Sequence, residues 1–152
     1  MGLETAHPDA LARLNKGMTR DSFRRAAAGL AERGVALRVF LLAPAPFVPE
    51  VEQAEWMLRS VDFAFDCGAS AVSLVPLRTE SGPAHALAAW GLATAPRLRQ
   101  LEAWLASALA HASGRGRVFV DLWDLERFRG EEGFGSCRER LRQMNLEQVV
   151  AG

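Results

Sequence analysis

The stretch Val35-Ala-Leu-Arg-Val-Phe-Leu-Leu42, followed by Ala43-Pro-Ala-Pro-Phe-Val-Pro49, decides the fold class of this chain. The first segment is a mostly apolar run that is rich in strand-forming side chains. The second segment is rich in proline, which predicts a turn. Nearly continuous hydrophobicity predicts a strand that is covered on both faces, as the strands of a parallel sheet are.

The segments on either side alternate between strand and helix. Further strands are predicted at Met1–Thr5, Ala71–Val75 and Val118–Asp121. The predicted helices cover 8–14, 19–34, 49–67, 83–90, 96–113 and 137–149, with one helical turn within 123–128. Repeated strand–helix units with short loops predict an α/β fold with a parallel sheet and right-handed crossovers. Four strands are too few to close a barrel of eight, but they can form an open sheet.

Composition and charge narrow the class of protein. The chain has 49% hydrophobic and 24% charged residues, as ordinary globular proteins do. Its 18 basic and 18 acidic residues cancel, which argues against bulk attraction to nucleic acid or anionic lipid. We expect no signal peptide, no membrane span and a cytoplasmic location. Residues 1–128 are expected to form the main domain, and residues 129–152 a flexible connection at 130–135 with a C-terminal helix.

Polar side chains are predicted at the carboxyl ends of the strands, where parallel α/β folds place their sites. Glu4 can accept hydrogen bonds from an ammonium group, and Lys16 and Arg78 can pair with a carboxylate. Together they predict a lining suited to a zwitterionic ligand. Helix capping and surface pairing explain each of these residues equally well, so both interpretations stay open.

A series of short motifs follows the predicted strands and helices in order: Gly2-Leu3-Glu4-Thr5, Leu14-Asn15-Lys16-Gly17-Met18-Thr19, Val39–Leu42, Pro44–Glu50, Trp56–Ala64 and Ser73–Pro76. In this order and spacing, the motifs resemble the later half of radical S-adenosylmethionine (radical SAM) enzymes. The group that includes elongator-type and methylthiotransferase-type proteins is most similar, and within it the archaeosine-biosynthesis subgroup. The resemblance covers residues 1–128.

The resemblance implies the C-terminal half of a partial (β/α)6 barrel of the TIM type. It implies that Glu4 and Thr5 bind the methionine or ribose part of SAM and that Lys16 pairs with the SAM carboxylate. It places Arg38 and Pro44 in the region that packs near adenine, and Pro76 at the exit of the next strand. The cofactors implied for the intact family are SAM and a [4Fe-4S] cluster.

The chain departs from the family in one decisive respect, because it lacks the Cys-x-x-x-Cys-x-x-Cys loop that holds the cluster. Its two cysteines, Cys67 and Cys137, are single residues that are far apart in sequence, whereas a cluster needs several thiolates close together. We therefore expect no catalytic residue and no metal ligand in this chain, and no activity from the chain alone.

Two interpretations of function follow. In the first, the chain is a fragment of a radical SAM enzyme that acts on tRNA or a small molecule, and Met1 need not be a biological start. In the second, it is a non-catalytic module that completes a barrel with a separate cluster-bearing half or associates with itself. Sheet edges that lack neighbouring strands favour association with another protein.

Overall fold

A computed structural model describes the backbone of residues 1–150 and the side chains of residues 1–149. Every strand and helix predicted from the sequence is present. The strands are β1 (Gly2–Glu4), β2 (Leu37–Ala43), β3 (Ala69–Pro76) and β4 (Arg117–Val120). The helices are α1 (Pro8–Arg13), α2 (Arg20–Ala31), α3 (Gln53–Asp66), α4 (Gly82–Ala89), α5 (Leu98–Ala112) and α6 (Phe134–Val150), with short 3-10 turns at Glu50–Glu52 and Leu125–Phe128.

The four strands form one parallel sheet in the order β1-β2-β3-β4, which is also their order in the sequence. A parallel neighbour requires a crossover, and nearly all such crossovers are right-handed. When the strand order always advances in one direction, right-handed crossovers place all the connecting helices on the same side of the sheet. The predicted α/β class and parallel sheet are confirmed.

One face of the sheet is packed against helices, and we call it the covered face. Leu3, Val39, Leu41, Val72 and Leu74 on this face are each at most 1% exposed. They form one core with residues of α2, α3, α5 and α6, listed here by their buried members: Phe23, Ala27, Val61, Ala64, Leu101, Leu105, Cys137 and Leu141. The C-terminal helix thus shares the core of the strands.

The opposite face, which we call the open face, carries alternate residues of the same strands. Its most exposed members include Arg38, Arg117 and Phe40, and Phe40 is 40% exposed. Of the remaining members, Ser73 is buried. The others are half-buried, namely Leu42, Ala71, Val75 and Phe119. The prediction that the β2 segment is covered on both faces is therefore wrong, because Arg38 and Phe40 alternate with buried Val39 and Leu41.

Local signals explain most helix boundaries. Thr19 caps α2 as predicted, since its hydroxyl accepts from the backbone N–H of Ser22 at 3.1 Å and the Ser22 hydroxyl accepts from that of Thr19. The helix predicted to begin at Pro49 instead starts with a 3-10 turn, and Val51 in that turn is 92% exposed rather than apolar core. Helix α6 begins at Phe134, inside the segment predicted as a flexible connection.

The last strand of the sheet is held by a side chain of α6. The Asn145 amide donates to the Val120 carbonyl at 2.8 Å, and its oxygen accepts from the Val120 N–H at 3.0 Å. These two hydrogen bonds replace those that a neighbouring strand would make with Val120, so α6 occupies the outer edge of β4 at this position. No helix among the described residues is long and apolar enough to cross a membrane.

Candidate functional site

Strands β1, β2 and β3 end side by side at Glu4, Ala43 and Pro76. Glu4 has a left-handed backbone (φ 70°) at an irregularity in the β1–β2 register. Its side chain folds back over Gly2, where an added Cβ would lie 2.7 Å from the Glu4 carboxylate oxygen. A glycine at position 2 therefore makes room for the carboxylate.

Lys16 and Glu4, both considered for the polar lining, form an ion pair. The Lys16 Nζ lies 2.6 Å from Glu4 Oε1, and the side chains are 55% and 13% exposed, respectively. The loop after α1 makes this possible, because Asn15 and Gly17 both take positive φ angles (51° and 64°) that turn the chain back towards β1. The two opposite charges neutralise each other, and the half-exposed ammonium remains accessible to a ligand.

Thr5 and Pro44 lie at the same end of the sheet but line a cramped space. Thr5 is 2% exposed, and its hydroxyl accepts from the backbone N–H of His7 at 3.1 Å, which holds the turn into α1. Glu4, Thr5 and Pro44 border a cavity of about 10 Å³, which is room for about one water molecule. Pro76, the last residue of β3, is buried beside this edge. The chain by itself does not form a pocket of SAM size at these residues.

Arg38 lies away from the other sequence-predicted site residues. It is near the amino end of β2, on the open face, and its Nε donates to the Ser73 hydroxyl at 2.7 Å. Its guanidinium lies 5.0 Å from the Phe119 ring centroid and 5.7 Å from that of Phe40. Arg38 therefore lies near the opposite end of β2 from Pro44, and away from Glu4 and Thr5.

A second group of basic and aromatic side chains lies where β3 and β4 end. Arg127 is only 13% exposed, donates to the Leu77 carbonyl at 3.2 Å and lies 3.5 Å from Glu80. Burial lowers the pKa of Arg127, and Glu80 partly offsets this effect. Arg78, predicted as part of the polar lining, stacks on Trp123 at 3.6 Å from the ring centroid. Arg127 was not predicted, since nothing in the sequence marks an arginine in a short helical turn as an anchor for a distant strand.

Neither cysteine belongs to a metal-binding group. Cys67 ends α3 half-buried, and Cys137 in α6 is 1% exposed. Burial raises the pKa of both thiols, which keeps them protonated at neutral pH. Within the part of the chain that the structure describes, no three His, Cys, Asp or Glu side chains are gathered where they could hold a metal ion. The residues present therefore do not fit an iron–sulfur cluster.

Neither models of known protein families nor curated proteins match this chain.

Proposed function

We propose that the chain is the C-terminal half of a radical SAM-type partial barrel. One observation carries the proposal: four parallel strands follow one another in sequence order, with one face covered by helices and the other open. In an open doubly wound sheet the strand order reverses, so helices cover both faces. In a TIM-type barrel the order never reverses, and helices lie only outside. The order and the one-sided cover therefore support a barrel segment, in which the open face would line the interior.

The two edges of the sheet support the same proposal. At the β4 edge the Asn145 amide takes both backbone groups of Val120. At the other edge, among the residues that the structure describes, β1 pairs only with β2. Further strands can therefore be added beside β1 and not beside Val120. A six-unit barrel of the implied type needs additional strands, and β1 is the position that accepts them.

Strands added at this edge would lie next to the Glu4–Lys16 pair. Glu4 can accept hydrogen bonds from an ammonium, and Lys16 can bind a carboxylate, so the pair suits the two charges of the SAM methionine part. The cluster has to come from the added half, because this chain has no suitable thiolate group. The substrate of the assembled protein, tRNA or a small molecule, is part of the proposal and would lie in the completed interior.

Co-expression with the polypeptide encoded immediately upstream tests the proposal. We expect that polypeptide to contain the three-cysteine loop and the complex to bind SAM and cleave it to 5′-deoxyadenosine under anaerobic reduction. Calorimetry of the chain alone should detect weak SAM binding or none. A Lys16→Gln variant should raise the SAM concentration needed by the complex, whereas the exposed-surface control Arg25→Gln should not. An upstream sequence without the loop, or tight SAM binding by the chain alone, would contradict the proposal.

A second candidate is a non-catalytic module that uses the open face for association. It is favoured by the exposed Phe40 and half-buried Leu42 and Val75 on that face, because all-parallel sheets occur almost only with both faces covered. Analytical ultracentrifugation separates the two candidates: the module predicts a stable dimer of the chain alone that Phe40→Glu disrupts. A monomer that assembles only with the upstream polypeptide would exclude self-association through the open face.

A further inference from the structure

A groove at the amino end of the open face is separate from the Glu4–Lys16 edge. It has a volume of about 630 Å³, within the range of roughly 300–1,000 Å³ that is typical of small-molecule sites. Arg38 and Arg117 lie on two of its walls. Its lining contains no acidic residue and is completed by Ser70, Ala71, Gly114, Gly116, Phe119 and Gln148.

The strand register fixes how the two arginines are placed. Arg38 of β2, Ala71 of β3 and Arg117 of β4 lie in one row across the sheet. Two strand spacings of about 4.8 Å separate the arginine backbones. The small side chain of Ala71 between them leaves space above the sheet. An anionic group can therefore lie over Ala71 within reach of both guanidinium groups.

Within residues 1–149, no carboxylate forms an ion pair with Arg38 or Arg117. Many of the other arginines have a carboxylate within 4.0 Å, as in the pairs Arg59–Glu55 and Arg140–Glu102. Arg38 instead donates to Ser73, which is 1% exposed, and no hydrogen bond or ion pair of the Arg117 side chain is found among the described residues. Two arginines in one groove, with no carboxylate partner among the described residues, favour an anionic ligand.

The next row adds a surface for a planar ring. Phe40, Ser73 and Phe119 are neighbours across β2, β3 and β4, and the Arg38 guanidinium lies over this row. The hydrogen bond to Ser73 and the two rings hold the guanidinium in place. Nucleobases stack on such planes of arginine as well as on aromatic rings.

We propose that this groove binds a nucleoside phosphate, with the base stacked on Arg38 and the phosphate held between Arg38 and Arg117. The ligand is either a free nucleotide or a unit of single-stranded RNA, since both present the same ring and phosphate. The site consists only of residues of this chain. In the proposed barrel it would lie at the amino end of the interior, and the chain alone is used to test it.

Fluorescence anisotropy with a fluorescein-labelled eight-nucleotide single-stranded RNA, and NMR titration with adenosine 5′-monophosphate, test the two sources. The purified full chain should bind at least one probe, and increasing salt should weaken the binding. Arg117→Gln should weaken it about tenfold, as expected for the loss of a charge-assisted hydrogen bond. Tighter binding of the RNA identifies the polymer as the ligand, and tighter binding of the mononucleotide identifies the free nucleotide.

The control is Arg25→Gln, which removes the same charge from an exposed position on α2 outside the groove. It should bind like the unmodified chain. Arg117→Gln is the informative variant, because Arg117 makes no described side-chain bond whose loss would disturb folding. The proposal is overturned if neither probe binds, if Arg117→Gln binds as tightly as the unmodified chain, or if Arg25→Gln weakens binding equally.

Discussion

The two faces of the sheet differ although they belong to the same strands. On β2, Val39 and Leu41 point into a core where they are at most 1% exposed, whereas Arg38 and Phe40 between them are exposed. The covered face is wholly apolar and packed by four helices. The open face mixes arginine and phenylalanine with small and branched side chains. The stability of the fold therefore depends on one face, and the other is available for binding.

The largest expected effect contrasts Leu41 with Leu42, two identical side chains on opposite faces of β2. Leu41 is 1% exposed in the core, and Leu42 is half-buried on the open face. Leu41→Ala should lower the free energy of unfolding by about 3 kcal/mol, because it leaves a cavity in packed surroundings. Leu42→Ala should cost about 1 kcal/mol, since less buried surface is lost. Urea denaturation of both variants measures the difference; equal losses would mean that the open face is packed in solution.

The fold was predictable because its signals are local. Apolar runs, helix caps such as Thr19, and stop residues such as Gly34 predicted each element to within a few residues. Local signals did not predict that helices cover only one face of β2. A run of apolar residues containing one arginine looks like a doubly covered strand, and only the positions of the helices show that Phe40 faces outwards.

The candidate site was predictable in part. Residues at strand ends, such as Glu4, follow from the rule for parallel sheets, and Lys16 follows from the resemblance. Arg38 was considered as a site residue, but its grouping with Arg117 could not be found, because the two are distant in sequence and come near each other only through the register with Ala71. The position of Arg38 at the amino end of its strand likewise depends on where β2 begins.

The next largest effect is expected at the outer edge of β4, where the Asn145 side chain of α6 binds Val120. Asn145→Ala removes both hydrogen bonds to Val120 and should cost about 2 kcal/mol, because it leaves partly buried backbone groups without partners. Gln143→Ala on the same helix is the control, since Gln143 is exposed and its side chain donates to Glu147 on the same helix. Hydrogen exchange at the Val120 amide should become faster in the first variant alone. Unchanged protection would mean that the amide of Asn145 does not hold the β4 edge.

A smaller effect, which depends on pH, is expected at the ion pair between α5 and α6 on the covered side. Hydrogen bonds from Arg140 lower the pKa of Glu102. The pair therefore stabilises the fold above the ordinary glutamate pKa of about 4.3, and this contribution is lost as the pH falls through the lowered value. Arg140→Gln should reduce stability at pH 7, and its difference from the unmodified chain should shrink as the pH is lowered below the ordinary glutamate pKa. Urea denaturation over a series of pH values checks this, with exposed Arg142→Gln as the control; a difference that does not change with falling pH would contradict the assignment to Glu102.

The smallest effect is expected at the Glu4–Lys16 ion pair, which lies where β1 ends. Lys16 is 55% exposed, and ion pairs of this kind contribute about 0–1 kcal/mol to stability. Lys16→Gln should therefore change the free energy of unfolding by less than about 1 kcal/mol, and Lys16→Arg should change it even less. Thermal and urea denaturation measure both variants. A loss well above this range would mean that the pair is needed to hold β1 against β2, and a structural role would then explain Lys16 without a ligand. A small loss leaves Lys16 free to exchange Glu4 for the carboxylate of a bound ligand, as the proposed site requires.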